Sequence, residues 1–161
     1  MKLTNFYSNI WIISNFDNEK IATDTLLTYI SKVKQNHNIT KTINLDKEFK
    51  FWTSKYTSSF NQTISTQMIL DSQKQALLLF NKLSRLLINS FINQNQILIF
   101  TSSKNDCLLG LLIYFVSKEG GIDLEKSVDT INSKLGGLRG FQLDSNIKKM
   151  LINECYNKKN I

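Results

Sequence analysis

The stretch from Gln96 to Val116 limits the fold more than any other part of the chain. Ile97 to Phe100 is an unbroken run of apolar β-formers, the pattern of a strand buried on both faces. Leu108 to Val116 is apolar almost throughout and long enough for a central, buried helix. Between them lie seven small or polar residues, Thr101, Ser102, Ser103, Lys104, Asn105, Asp106 and Cys107. A strand that turns through a short polar loop into a helix aims backbone N–H groups and the positive end of the helix dipole at one point. That is a recipe for holding a phosphate or another oxyanion, so Thr101 to Cys107 is a candidate anion-binding loop.

The remaining chain alternates between strand and helix patterns. Asn9 to Ser14 reads as an opening strand, followed by turn chemistry at residues 15–18 in which Asp17 or Asn18 can cap a helix. Glu19 to Lys34 has a helical period through Ile21, Ala22, Leu26, Leu27, Ile30 and Val33, and residues 35–38 form a polar break. Ile39 to Leu45 is a β-branched strand, residues 46–59 are mixed and aromatic, and Asn61 to Met68 reads as a further strand. A strong amphipathic helix from Ser72 to Phe91 leads to the central strand. After the central helix, Glu119-Gly120-Gly121 is a stop with glycine available for the left-handed position. Asp123 opens a shorter helix to Lys134, residues 135–140 are glycine-dense, and Ser145 to Tyr156 is a final helix capped by Asp144 or Ser145. Residues 157–161 are a frayed basic tail. This order predicts one α/β domain over residues 1–161, with a central, mostly parallel sheet flanked by helices on both faces.

Composition narrows the chemistry. His37 is the single histidine, in what reads as a polar loop, so a Ser-His-Asp arrangement, a Cys-His pair and a His-rich zinc site would all depend on it. No metal site and no cofactor is expected. Cys107 and Cys155 give no disulfide framework, which fits a reduced, intracellular chain. The N-terminus lacks the pattern of a signal peptide and no window has the apolar length of a membrane span. The net charge of +7 is spread along the chain without a dense basic block. It favours anionic partners in general, while the absence of aromatic–basic interleaving argues against a nucleic-acid-binding face.

Several phrases, in this order, resemble the dual-specificity branch of the protein tyrosine phosphatases, and among these the small poxvirus-type enzymes. Residues 9–15 (Asn-Ile-Trp-Ile-Ile-Ser-Asn) resemble that family's opening strand, and residues 38–45 resemble a second strand that ends in an Asn-Leu pair, here Asn44-Leu45. Residues 113–118 sit where the central helix ends, and Gly140-Phe141-Gln142 with the last helix resembles the C-terminal segment. The resemblance spans residues 9–156 and implies a dual-specificity phosphatase-like fold.

The family's signature is His-Cys, two residues, Gly, two residues, Arg, then Ser or Thr, between the same strand and helix. Here those positions hold Phe100, Thr101, Lys104, Cys107 and Leu108. A threonine hydroxyl stays protonated where the mechanism needs a thiolate of depressed pKa. Cys107 offers neither the charge nor the bidentate fork of an arginine. Lys104 makes the tight curl of the loop costlier than glycine would. Asp71, thirty residues before Thr101, matches the general-acid position, though a helix-capping role accounts for it equally well. At Cys107 a buried structural thiol is a commoner outcome than a displaced nucleophile.

The resemblance therefore implies a phosphatase fold without phosphatase catalysis, a pseudophosphatase serving as a protein-binding or structural module. Two modes follow. The 101–107 loop binds a phosphorylated or acidic ligand without hydrolysing it, or the pocket is filled by Phe100 and Lys104 and another surface contacts a protein. The dimers formed by the poxvirus-type relatives make a second copy of the chain a candidate partner. The rival reading is a residual phosphatase using a non-standard nucleophile. Resemblance and the Asn-, Ile- and Lys-rich composition together suggest a viral or AT-rich parasite source, with a cytoplasmic or virion location.

Overall fold

A computed structural model describes residues 2–14, 22–45, 63–65, 73–100, 106–135, 143 and 145–155. The chain divides into two compact units. The first comprises Met1–Met68 and Leu87–Asn105, and the second Ile69–Leu86 and Asp106–Ile161.

The first unit is built on a sheet in the order β1-β2-β5-β3-β4. Its strands are β1 (Lys2–Tyr7), β2 (Ile10–Ser14), β3 (Ile39–Asn44), β4 (Thr63–Ser65) and β5 (Gln96–Phe100). β5 runs parallel to both its neighbours, β2 and β3, and β3 runs parallel to β4. β1 pairs antiparallel with β2 and forms an edge, with an irregularity between Asn5 and Tyr7. Sequence reading left residues 2–7 unassigned. Their mixed polarity is what an edge strand shows when only part of it, here Phe6, is fully buried.

Helix α1 (Thr23–His37) packs Leu26, Ile30 and Val33 against Ile13, Ile39, Leu98 and Phe100 of the sheet. The spacing of those helical residues is the one that repeats on a single helix face. Burying each such aliphatic side chain stabilises the fold by roughly 1.5–3 kcal/mol. The helix begins later and ends later than its sequence pattern indicates. Ala22 is the N-cap, without a side-chain cap bond, so the expected start at Glu19 is corrected to Thr23. At the other end residues 35–37 continue the helix, and Asn38 closes it in the left-handed region (φ 54°), its N–H donating to the Lys34 carbonyl. Asparagine tolerates that conformation, which is why a polar tetrapeptide could extend a helix by most of a turn.

The second unit is helical. It contains the first part of α2 (Gln73–Ile92), then α3 (Asp106–Tyr114), α4 (Leu124–Leu135) and α5 (Ser145–Glu154). α3 is buried from Leu108 to Tyr114 wherever it has a side chain, as its apolar run predicts. It continues into a π-helical turn, Phe115–Glu119, which periodicity alone does not reveal. Within that turn the buried Ser117 hydroxyl donates to the Ile122 carbonyl at 2.7 Å. Gly121 takes the left-handed position expected of it (φ 62°), and Asp123 caps α4 by accepting from the Lys126 N–H at 2.9 Å.

Gly110 of α3 lies against side chains of two other helices. A Cβ there would lie 2.7 Å from Ile147 Cγ2 on α5 and 3.1 Å from Phe80 Cζ on α2. Four residues on, Tyr114 packs near Phe80 and donates its hydroxyl to Asn81 Oδ1 at 2.7 Å. In an open helix, Gly→Ala is stabilising by roughly 0.5–1 kcal/mol. At Gly110 overpacking, typically about 1–3 kcal/mol, outweighs that gain. Gly110→Ala is therefore expected to lower the urea unfolding midpoint with an unchanged m-value. A raised midpoint would mean the three helices have room that this packing denies.

Candidate active-site loop

The chain reaches the candidate loop from the most enclosed strand of the first unit. β5 is held along its whole length, with Ile13 of β2 and Asn44 of β3 opposite Phe100. Just beyond β3, the Leu45 N–H donates to the Phe100 carbonyl at 3.1 Å. The backbone at Leu45 thus fixes the last carbonyl before the loop, a bond that does not depend on the side chains of the Asn44-Leu45 pair. The start of β5 is fixed as well. Asn9 donates from Nδ2 to the Asn95 carbonyl at 3.1 Å, and its own carbonyl accepts from the Ile97 N–H at 2.9 Å. Trp11 Nε1 donates to Gln96 Oε1 at 2.7 Å, and the indole stacks on His37 at a centroid separation of 3.9 Å. His37, expected in a loop, is the last residue of α1. Neither Asn9 nor Gln96 carried a sequence signal for these bonds, since each depends on a partner far away in the chain.

Thr101, Ser102, Ser103, Lys104 and Asn105 lie outside the described residues, as do Asp71 and the side chains of Asp106 and Cys107. The backbone of Asp106 and Cys107 forms the first turn of α3, the start of a helix directly after the loop. Phe100 and Leu108, which the sequence resemblance aligns with the first and last signature positions, are both described. Phe100 is 1% exposed, and its ring belongs to the α1 core cluster with Leu26, Ile30 and Val33. The loop pocket that Phe100 and Lys104 are expected to fill lies outside the described residues. Leu98 and Phe100 share one face of β5, and that face is the one α1 covers. Leu108 is fully buried in the second unit.

Among the described residues no group of three or more His, Cys, Asp or Glu side chains could hold a metal ion. Nor is any described helix long and apolar enough to cross a membrane.

No protein-family model matches the sequence, and no curated protein matches it. Solved structures do. The chain is similar to the PTP-2 phosphatase of Cydia pomonella, at 13% identity and a TM-score of 0.65, covering 95% of this chain and 89% of that one. It is similar to a leucine-rich-repeat and phosphatase-domain protein of Entamoeba histolytica, at 12% identity and a TM-score of 0.66, over 98% and 91% of the two chains. A human tyrosine phosphatase-like serine/threonine/tyrosine-interacting protein is similar to the same degree, at 12% identity and a TM-score of 0.66, over 94% and 93%. The fold is a phosphatase fold. The α/β class and the dual-specificity phosphatase-like architecture expected from the sequence are thereby established.

The chain carries a second cysteine. Cys155 follows α5, is 7% exposed, and donates its N–H to the Leu151 carbonyl at 3.0 Å. Burial pushes its thiol up to about 11, and a hydrogen bond with Ser117 and the charge of Lys118 offset this only in part. The folded thiol holds its proton more tightly than the unfolded one, whose pKa is 9.0. Its contribution to stability is complete below about pH 9 and is lost as the pH rises through about 11. Iodoacetamide at pH 8 should therefore label the Cys155 peptide of the native protein at least about a hundredfold more slowly than that of the urea-unfolded chain. Comparable rates in the two states would show that the thiol is not enclosed.

Proposed function

We propose that this chain is a phosphatase-fold protein without phosphatase activity, a pseudophosphatase that works by binding another protein. One observation carries the reading. Phe100 and Leu108, which stand at the first and last signature positions, are both buried core side chains. A histidine at the first of those positions would sit among Leu26, Ile30 and Val33, and a hydroxyl at the last would replace an enclosed leucine. Between them the sequence offers Thr101 for the thiolate, Lys104 for the glycine and Cys107 for the arginine. Without a thiolate no phosphoenzyme forms, and without a guanidinium the charge developing on the phosphoryl oxygens is not met. Support also comes from the human structure of similar fold, which is named a tyrosine phosphatase-like serine/threonine/tyrosine-interacting protein. The poxvirus-type resemblance adds that a second copy of the chain is one candidate partner.

The test is hydrolysis of an aryl phosphate by the natural protein and by a variant carrying Thr101→Cys, Lys104→Gly and Cys107→Arg together. The natural protein is expected to be inert. The variant should exceed it by at least about a hundredfold, the scale on which single charge-stabilising groups act in catalysis. Turnover by the natural protein would overturn the reading and direct attention to Cys107. If both proteins are inert, the assignment of the signature positions is wrong.

A further inference from the structure

The second unit contains an apolar groove of about 440 Å³, and its described lining includes none of the signature residues. Its floor is made by the buried Ile113 of α3 and Leu151 of α5. Leu124 and Val128 of α4 form one wall, and Lys148 and Ile152 of α5 form the other. Val128 is 37% exposed and Ile152 47% exposed, and they are two of the five large hydrophobic side chains exposed among the described residues. Aliphatic side chains gathered at the rim of a groove, when most of their kind are enclosed, mark a surface suited to a partner.

Lys148 decides the kind of partner. It is exposed, and it is the charged residue among the described ones that line the groove; Lys149, next to it in α5, is exposed as well. A second copy docked through the same face would bring two Lys148 side chains into one interface, between chains that each carry +7. A small ligand would leave the rim of Val128 and Ile152 in water, whereas ligand pockets enclose most of what they bind. A helix lying along the groove covers that rim, places aliphatic residues one turn apart over the floor, and brings a carboxylate to Lys148. From this we infer that the groove docks an acidic amphipathic helix of a partner protein. The inference rests on the protein-binding reading above but uses none of the signature residues.

The full chain is titrated with a fluorescent synthetic helix of roughly eighteen residues, long enough to hold its conformation. It carries leucine at positions i, i+4 and i+7 and glutamate along both flanks. A matched peptide carries lysine in place of each glutamate. The acidic peptide should bind at least about tenfold more tightly than the basic one, and Lys148→Glu should reverse that order. Ile152→Asp should abolish binding of either peptide while leaving the far-ultraviolet circular dichroism unchanged, because Ile152 is half exposed. Equal affinity for the two peptides, no binding of either, or binding that survives Ile152→Asp would each overturn the inference. So would a concentration-dependent dimer, seen by sedimentation, that Ile152→Asp abolishes. Aryl phosphate hydrolysis measured on the same samples separates the two claims. An inert protein that ignores the acidic helix defeats only the groove, whereas an active one defeats the protein-binding reading itself.

Discussion

The burial of β5 on both faces is the constraint on which the first unit depends. Ile97 to Phe100 are essentially inaccessible to solvent, and parallel partners lie on either side of the strand. Parallel pairing needs crossovers long enough to return the chain to the same end of the sheet, and α1 is the one described within this unit. Once Leu98 and Phe100 are committed to the face under α1, Ile97 and Ile99 must face the other way. A one-residue slip would exchange the two sets, so the register is strongly held. The bonds from Asn9, Trp11 and Leu45 then tie both ends of the strand to its neighbours. The result is a rigid point of departure for the loop that follows Phe100.

Elements with a continuous apolar signal were legible in the sequence. β5, α2 and α3 follow from runs and periods that no tertiary contact is needed to explain, and α4 is announced by the Asp123 cap and the glycine before it. The edges were less legible. β1 has mixed polarity because an edge strand is only partly enclosed, and α1 runs through a polar segment because Asn38 can adopt the left-handed conformation that ends it. The π turn after Tyr114 has no composition of its own. It is recognisable only by Ser117, a polar residue fully buried with its hydroxyl turned to the Ile122 carbonyl.

The fold family was legible for a different reason. Short phrases such as Asn44-Leu45 carried the resemblance, and in the structure they lie at the edge of the loop, where the Leu45 N–H fixes the carbonyl from which it departs. With 13% identity to the Cydia pomonella enzyme across nearly the whole chain, little besides such geometry is shared. Fold is retained by distributed burial, while catalysis depends on a few side chains, so a chain can keep the first and lose the second.

Under the proposed reading, Phe100 and Leu108 bear on how readily catalysis could be built into this chain by substitution. In the proposed alignment both stand at signature positions, and both now contribute apolar contacts to a core. Returning Phe100 to histidine would remove a buried aromatic ring, a change that typically costs several kcal/mol when the space is left unfilled. It would also bury an imidazole among Leu26, Ile30 and Val33, whose side chains offer no hydrogen-bond partner. Leu108→Ser carries the same kind of cost in α3. Substituting only the three positions between them keeps Phe100 and Leu108 themselves, whereas substituting all five trades stability for chemistry. Under this reading the outer signature positions have passed from the reaction to the fold, and the change is harder to reverse at the core than in the loop.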